Sequence, residues 1–211
     1  MYKTEYISLP IKIGISTCLL GEKVRFDGGH KKDKYLTEVL GNYFEFVPSC
    51  PEIEVGMGVP RESVRLVGNP GSPRLIGPKS NTDWTDKMLT YTDNRIKVLD
   101  KINLCGYIFK GDSPTCGMER VRVYGESGMP NRSGRGLFAE VFIKANPLIP
   151  VEEEGRLNDT KIRENFITRV FGFNRLQNLL NDNFNRGTLV RFHTIHKYLM
   201  LSHSTKHYQL L

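Results

Sequence analysis

Apolar residues along this chain come in two rhythms. Through the first 150 residues, short β-branched runs alternate with stretches of helical spacing. IKIGIS (11–16) reads as a buried strand that ends in a polar, glycine-containing loop. DKYLTEVLGNY (33–43) sets Leu36, Val39 and Leu40 at helical spacing, with Gly41 as a stop. YFEFVPSC (43–50) reads as a second strand, and ESVRLVGN (62–69) and PRLIG (73–77) as two short strands joined by the turn chemistry of NPGSP. NTDWTDKMLTYTDNRIKVLDKIN (81–103) opens on good N-cap residues and fits a long helix feeding a third strand, LCGYIFK (104–110). GRGLFAEVFIKANP (134–147) predicts a glycine-started helix, and PLIPVEEEG (147–155) a last short strand. Strand–helix–strand alternation with crossovers of this length implies an α/β fold, a three-layer, Rossmann-like, mostly parallel sheet.

After Gly155 the rhythm is helical only. TKIRENFITRVFGFNRLQNLL (160–180) places Ile162, Phe166, Val170 and Phe171 on one face, continued by Leu176, Leu179 and Leu180. TLVRFHTIHKYLMLSHSTKHYQLL (188–211) predicts a second helix after an NDNFNRG turn at 181–187, so the tail reads as a small all-α helical hairpin.

Composition changes this picture little, but charge changes it a good deal. At 211 residues, 39% hydrophobic and 25% charged, the chain suits one α/β domain plus a small second one. The opening MYKTEYISLPIKIG lacks the apolar core of a signal peptide, and no apolar run reaches the roughly 18–20 residues of a membrane span. A cytoplasmic globular protein with no membrane partner is expected. The formal net charge of +7 is unevenly placed: residues 1–154 hold 21 basic against 20 acidic side chains, residues 155–211 hold 9 against 3. The excess sits in the tail with four of the five histidines, as suits a polyanion partner or a merely solvated surface.

Candidate chemistry centres on cysteine. Cys18, Cys50, Cys105 and Cys116 form no C-x-x-C, which disfavours zinc ribbons, thioredoxin-like pairs and ferredoxin-type runs. Cys18, Cys50 and Cys116 each follow the end of a predicted strand, and in an open parallel sheet those ends share one edge, where sites form. Cys105 starts its strand, five residues and roughly 16 Å from the far end, and reads as a buried apolar residue. Three converging thiols fit unrelated buried thiols, a zinc site with a fourth ligand, or an iron–sulfur cluster. A four-iron cubane held by three cysteines leaves one iron without a protein ligand, free to act as a Lewis acid. Glu52 and Ser113, two and three residues from Cys50 and Cys116, stand at the same edge and could handle protons there, or simply be solvated and capping groups.

GISTCLLGEKVRFDGGHK (14–31), SCPEIEVGMGVPRE (49–62), FKGDSPTCG (109–117) and GRGLFAE (134–140) resemble the TudS-like thiouracil desulfidase family. NFITRVFGFNRLQNLL (165–180) and GTLVRFHTIHKYLMLSHS (187–204) resemble the helical domain fused to it in RudS-type tRNA 4-thiouridine desulfidases, where that domain is about twice the length of the 57 residues here. The resemblance implies a desulfidase domain at 1–154 and an incomplete basic helical domain at 155–211. It implies a [4Fe-4S] cluster held by Cys18, Cys50 and Cys116, with one iron not ligated by protein. Water would replace sulfur on a thiolated pyrimidine without net redox, the substrate being a thiolated nucleobase or tRNA. Glu52 and Ser113 match the family's functional positions; Glu52 would manage the proton of the attacking water and Ser113 orient the base or relay a proton. Thr115 stands where the family mostly carries Ser.

Further candidates are weaker. Ser16, Arg25, Asp27 and Arg61 are assigned to substrate binding, although Arg61 suits a local carboxylate equally well, and Gly28, Gly29 and His30 suit an ordinary tight turn. Gly134 and Gly136 open a helix whose N–H groups could face an anion. His193, His196, His203 and His207 share one helical arc with apolar residues, which suits packing better than a metal site, and their role stays open. The competing functions are a zinc-stabilised non-catalytic RNA-binding module and an iron–sulfur redox sensor.

Overall fold

The computed structural model describes residues 10–125, 128–181 and 184–210. The amino-terminal nine residues, two residues of the turn expected at 181–187, and Leu211 lie outside them. In chain order, β1 (Ile11–Ser16) runs into a 3-10 turn at Thr17–Leu20, and the helix expected at 33–43 is a π-helical turn at Tyr35–Val39 followed by a 3-10 turn at Leu40–Asn42. Then come β2 (Phe44–Ser49), α1 (Pro51–Glu54), β3 (Arg65–Val67), β4 (Arg74–Ile76) and α2 (Thr85–Asp100). The middle of the chain supplies β5 (Gly106–Phe109), β6 (Val121–Tyr124), β7 (Pro130–Gly134), α3 (Leu137–Ala145) and β8 (Val151–Glu153). The chain ends in α4 (Thr160–Asn181), α5 (Arg186–His203) and α6 (Thr205–Tyr208).

The expected single sheet is two. The first, in the order β2-β1-β5-β8, is parallel throughout. The second, β4-β3-β6-β7, is mixed: β3 pairs parallel to β6, while the β3–β4 hairpin and the β6–β7 pair are antiparallel. Sequence periodicity finds the β3–β4 hairpin and misses β6 and β7. In that pair only Val121, Val123 and Gly134 are buried, and the register shifts between Val121 and Val123, so apolar alternation is too short to read.

Within the unit Pro10–Val170, the first sheet is covered on both faces. On one face Tyr107 and Phe109 of β5 stack at 4.3 Å and meet Phe138 and Phe142 of α3, with Ile96 and Leu99 of α2 completing the cluster. That packing dictates a glycine on β1, because a Cβ at Gly14 would stand 2.2 Å from the Tyr107 ring. The other face receives the first half of α4, since a Cβ at Gly106 would meet Val170 at 2.9 Å and Phe166 at 3.3 Å. The second sheet has its own core of Leu66, Leu75, Val121 and Val123, closed by Met88 of α2 and Leu137 of α3. Helices α2 and α3 therefore serve both sheets and fix the second beside the first.

The second unit comprises the chain from Phe171 on. Asn185 caps α5 through a reciprocal pair with Thr188, at 3.0 Å in each direction. The helix expected to run through 188–211 breaks at Ser204, whose extended backbone starts a new cap for α6. No helix among the described residues is long and apolar enough to cross a membrane.

Candidate functional site: three thiols at one sheet edge

Strands β1, β2 and β5 lie side by side and run the same way, so their carboxyl ends open on one edge. Cys18 sits in the 3-10 turn directly after β1, Cys50 directly after β2, and Cys116 in the loop after β5. All three line one cavity of about 410 Å³, together with Ser16, Arg25, Glu52, Arg61 and Ser113. Asp27 stands outside it, on an exposed turn where it accepts from the Gly29 N–H and pairs with Arg25 at 3.4 Å. Cys105 is buried, with its sulfur 3.7 Å from the Asn103 carbonyl, and does not line the cavity.

Each ligand candidate is held by local chemistry. Cys50 is the N-cap of α1, with Pro51 at the first helical position, where its missing N–H costs nothing. Glu54 reaches back to accept the Cys50 N–H at 2.8 Å and is itself held by Tyr91 Oη at 2.7 Å. The Cys18 carbonyl accepts the Lys31 N–H at 2.9 Å, which folds the 22–31 loop over that cysteine. Ser113 Oγ accepts from the N–H of Cys116 at 3.1 Å and of Thr115 at 3.3 Å, closing the turn around the third thiol. Gly136 permits that turn to lie against α3, because a Cβ there would be 2.5 Å from the Thr115 carbonyl carbon. The first N–H groups of α3 donate to the carbonyls of Pro114, Thr115 and Gly117, so they hold the cysteine loop and are not left for an anion.

All three thiols are raised above the ordinary cysteine value. Burial pushes Cys18 up to about 11, and the neighbouring Cys50 adds to it against Lys110 and Arg25. Burial also raises Cys50, with the Ile53 N–H opposing and Glu52 reinforcing. Cys116, wholly buried, is raised most, first by burial and then by Cys50. Thiols in this state keep their protons at neutral pH and release them to a metal.

Glu52 is the hub of the cavity's polar side. One carboxylate oxygen accepts from Arg61 through Nε at 3.2 Å and through Nη2. The other accepts from Thr115 Oγ at 2.8 Å, and Thr115 Oγ lies 3.0 Å from Ser113 Oγ. Hydroxyls thus join Ser113 to Glu52 in two short steps, a connection that residue spacing did not reveal. Arg61 is fully engaged: Nη1 donates to the carbonyls of Val24 at 3.0 Å and Gly58 at 2.9 Å, so its partner is the local carboxylate. A second concavity of about 310 Å³ shares Phe26, Glu52, Asp112 and Pro114 with the first and adds Arg65, Arg122 and Tyr124.

The tail histidines do not share one helix. His196 is buried, bonds the Phe192 carbonyl at 2.8 Å and stacks on the Phe192 ring; His193 stacks on Tyr208, and His207 lies beyond the break at Ser204. Among the described residues, no three His, Cys, Asp or Glu side chains gather closely enough to hold one metal ion.

Known proteins share this arrangement. No curated protein matches the chain. Among solved structures, a protein described as [4Fe-4S]-dependent thiouracil desulfidase TudS matches with a TM-score of 0.58 at 24% identity, over 73% of this chain and 97% of that one, and shares its fold. The 2-thiouracil desulfurase family matches residues 13–154, a span that holds both sheets and the three thiols, and the chain belongs to that family.

Proposed function

We propose that this chain is an iron–sulfur-dependent desulfidase that hydrolyses thiolated pyrimidines, taking 4-thiouridine in tRNA or free thiouracil and thiouridine to uridine or uracil with release of sulfide. The observation that carries the reading is the meeting of Cys18, Cys50 and Cys116 in one cavity with Glu52 and Ser113. The donor set suits a [4Fe-4S] cluster held by those cysteines: three thiols, spread round a cavity wider than one ion needs, without a fourth cysteine at that edge. When bound, such a cluster supplies a Lewis-acidic iron that has no protein ligand.

The chain's own residues then supply proton handling. In the overall change the pyrimidine C–S bond breaks, a C–O bond forms from water, both water protons leave with sulfide, and no electrons are exchanged. Glu52 accepts the proton of the attacking water, with Arg61 fixing its carboxylate in place. Ser113, tied to the Cys116 loop, orients the base, and Thr115 links it to Glu52. Arg65 and Arg122 in the adjoining groove support a substrate that carries ribose and phosphate beyond the base. On this reading residues 1–154 are the desulfidase domain and 155–211 a basic helical domain that helps hold RNA.

Anaerobic reconstitution with iron and sulfide, followed by sulfide-release assays on thiouracil, 4-thiouridine and thiolated tRNA, tests the proposal. Brown protein with about four irons per chain and sulfide release is expected. Colourless, zinc-loaded protein overturns it in favour of a structural zinc module. A cluster-bearing chain that releases no sulfide from any of the three overturns it in favour of a sensor.

A further inference from the structure

Tyr107 presents a polar atom that nothing in the reaction above uses. Its side chain is wholly buried, its ring wedged over Gly14 and packed among Phe109, Phe138 and Phe142. A phenylalanine would make the same aromatic contacts. The hydroxyl is buried and has no hydrogen-bond partner. The groups within its electrostatic reach are the Cys116 thiol, Tyr91 and Ser49. Tyr91 and Ser49 are already occupied, Tyr91 donating to Glu54 at 2.7 Å and Ser49 lying 3.2 Å from Glu54 and 3.3 Å from Tyr91. An orphaned buried hydroxyl carries a full desolvation penalty, so its presence calls for a state that satisfies it. A protonated thiol is a poor acceptor, whereas a thiolate is a strong one whose hydrogen bonds are charge-assisted.

We infer that Tyr107 is a positioning residue for the metal site: its hydroxyl donates to the Cys116 sulfur once that sulfur is a metal-bound thiolate, and so tunes the cluster from below the cavity. The inference rests on the cluster reading above. Ser16 supports the same sulfur: it is buried, its oxygen accepts the Lys110 N–H at 2.9 Å, and it lowers the Cys116 pKa as a hydrogen-bond partner. Hydrogen bonds to cluster sulfurs make a cluster easier to reduce. Tyr107 therefore penalises the metal-free protein and favours the electron-rich cluster.

The Tyr107→Phe variant separates these effects. Metal-free Y107F melts at or above the wild-type temperature, because it loses an unsatisfied hydroxyl and keeps the ring. Reconstituted Y107F with wild-type iron content has a more negative cluster midpoint potential, read by spectroscopic redox titration. A midpoint that coincides with wild type at equal iron content overturns the role of Tyr107 alone. A lower melting temperature of the metal-free variant also overturns it, since the hydroxyl would then be satisfied without metal. A wild-type chain that takes up no iron overturns the cluster reading and this inference with it.

Discussion

Arg61 grips a single carboxylate oxygen of Glu52 with two of its nitrogens, in a pair whose side chains are 7% and 15% exposed. The same guanidinium ties the loops at Val24 and Gly58 to each other, so the catalytic carboxylate and the cavity wall share one anchor. Breaking a buried pair by removing one partner costs about 3–5 kcal/mol, because the remaining charge is left uncompensated. Arg61→Met is therefore expected to lower the unfolding free energy by an amount of that order and to abolish sulfide release. Arg61→Lys keeps the charge but not the two-nitrogen grip or the carbonyl bonds, and should fall between. Denaturant titration with parallel sulfide assays checks both; a fully stable, active R61M would contradict the role.

Thr115 is the hydroxyl between Ser113 and Glu52. Thr115→Ser keeps the link and should keep most of the rate. Thr115→Val keeps the shape and removes it, and the expected loss lies at the low end of what a proton-transfer group contributes, about 10²-fold. Iron content must be equal in both variants for the comparison to count. If Val retains the wild-type rate, Ser113 and Glu52 act without the link.

How much of this was open to a reader of the sequence depends on what each feature needs. The convergence of Cys18, Cys50 and Cys116 needs only three parallel strands and their ends, and strand ends are marked by apolar runs stopping at turn residues. The second sheet needs β6 and β7, whose buried positions are too few to show a period. The break at Ser204 escapes because helical spacing continues on both sides; the Ser204 hydroxyl takes the His207 N–H at 3.2 Å and competes with the helix. The bonds from Arg61 and Thr115 to Glu52 depend on side-chain direction, which spacing does not carry. Tyr107 reads from its strand as one more apolar position, and only its unpartnered oxygen sets it apart.

The cysteines make a prediction by contrast. Ala at Cys18, Cys50 or Cys116 should remove the brown colour and the activity together. Cys105→Ala should keep wild-type iron and rate, since Cys105 stands away from the cavity at the start of the strand region. Loss of iron in C105A at unchanged melting temperature would move that cysteine into the ligand set.

Gly136 makes a steric prediction. A methyl group there would sit 2.5–2.7 Å from the Thr115 carbonyl and the Cys116 nitrogen, which are backbone atoms and cannot rotate aside. Overpacking of this kind costs about 1–3 kcal/mol and moves the loop that carries the third thiol. Gly136→Ala should therefore lose iron as well as stability. Melting curves and iron assays on the same samples decide it, and a variant that is destabilised but fully iron-loaded would show that the loop tolerates the shift.

Glu140 ties α3 to the same loop from the other side. It accepts Arg135 Nη1 at 2.8 Å and pairs with Lys144 at 2.7 Å, while Arg135 Nε donates to the Met118 carbonyl at 2.7 Å, two residues past Cys116. Partial burial pushes its carboxyl up, but Lys144 and Arg135 outweigh this and hold it below the usual glutamate range. A depressed carboxyl binds its proton more tightly in the unfolded chain than in the folded one, so stability rises with pH across the window between the two values. The contribution is present above the unfolded glutamate value of about 4.3 and lost as pH falls through the folded value. Because the pair is partly exposed, it is worth at most about 1 kcal/mol. Glu140→Gln should therefore unfold at lower urea than wild type at pH 7, and the two midpoints should draw together as pH drops from about 4.3 toward 3. A gap that stays constant across that range would mean that Glu140 stabilises through packing and not through its charge.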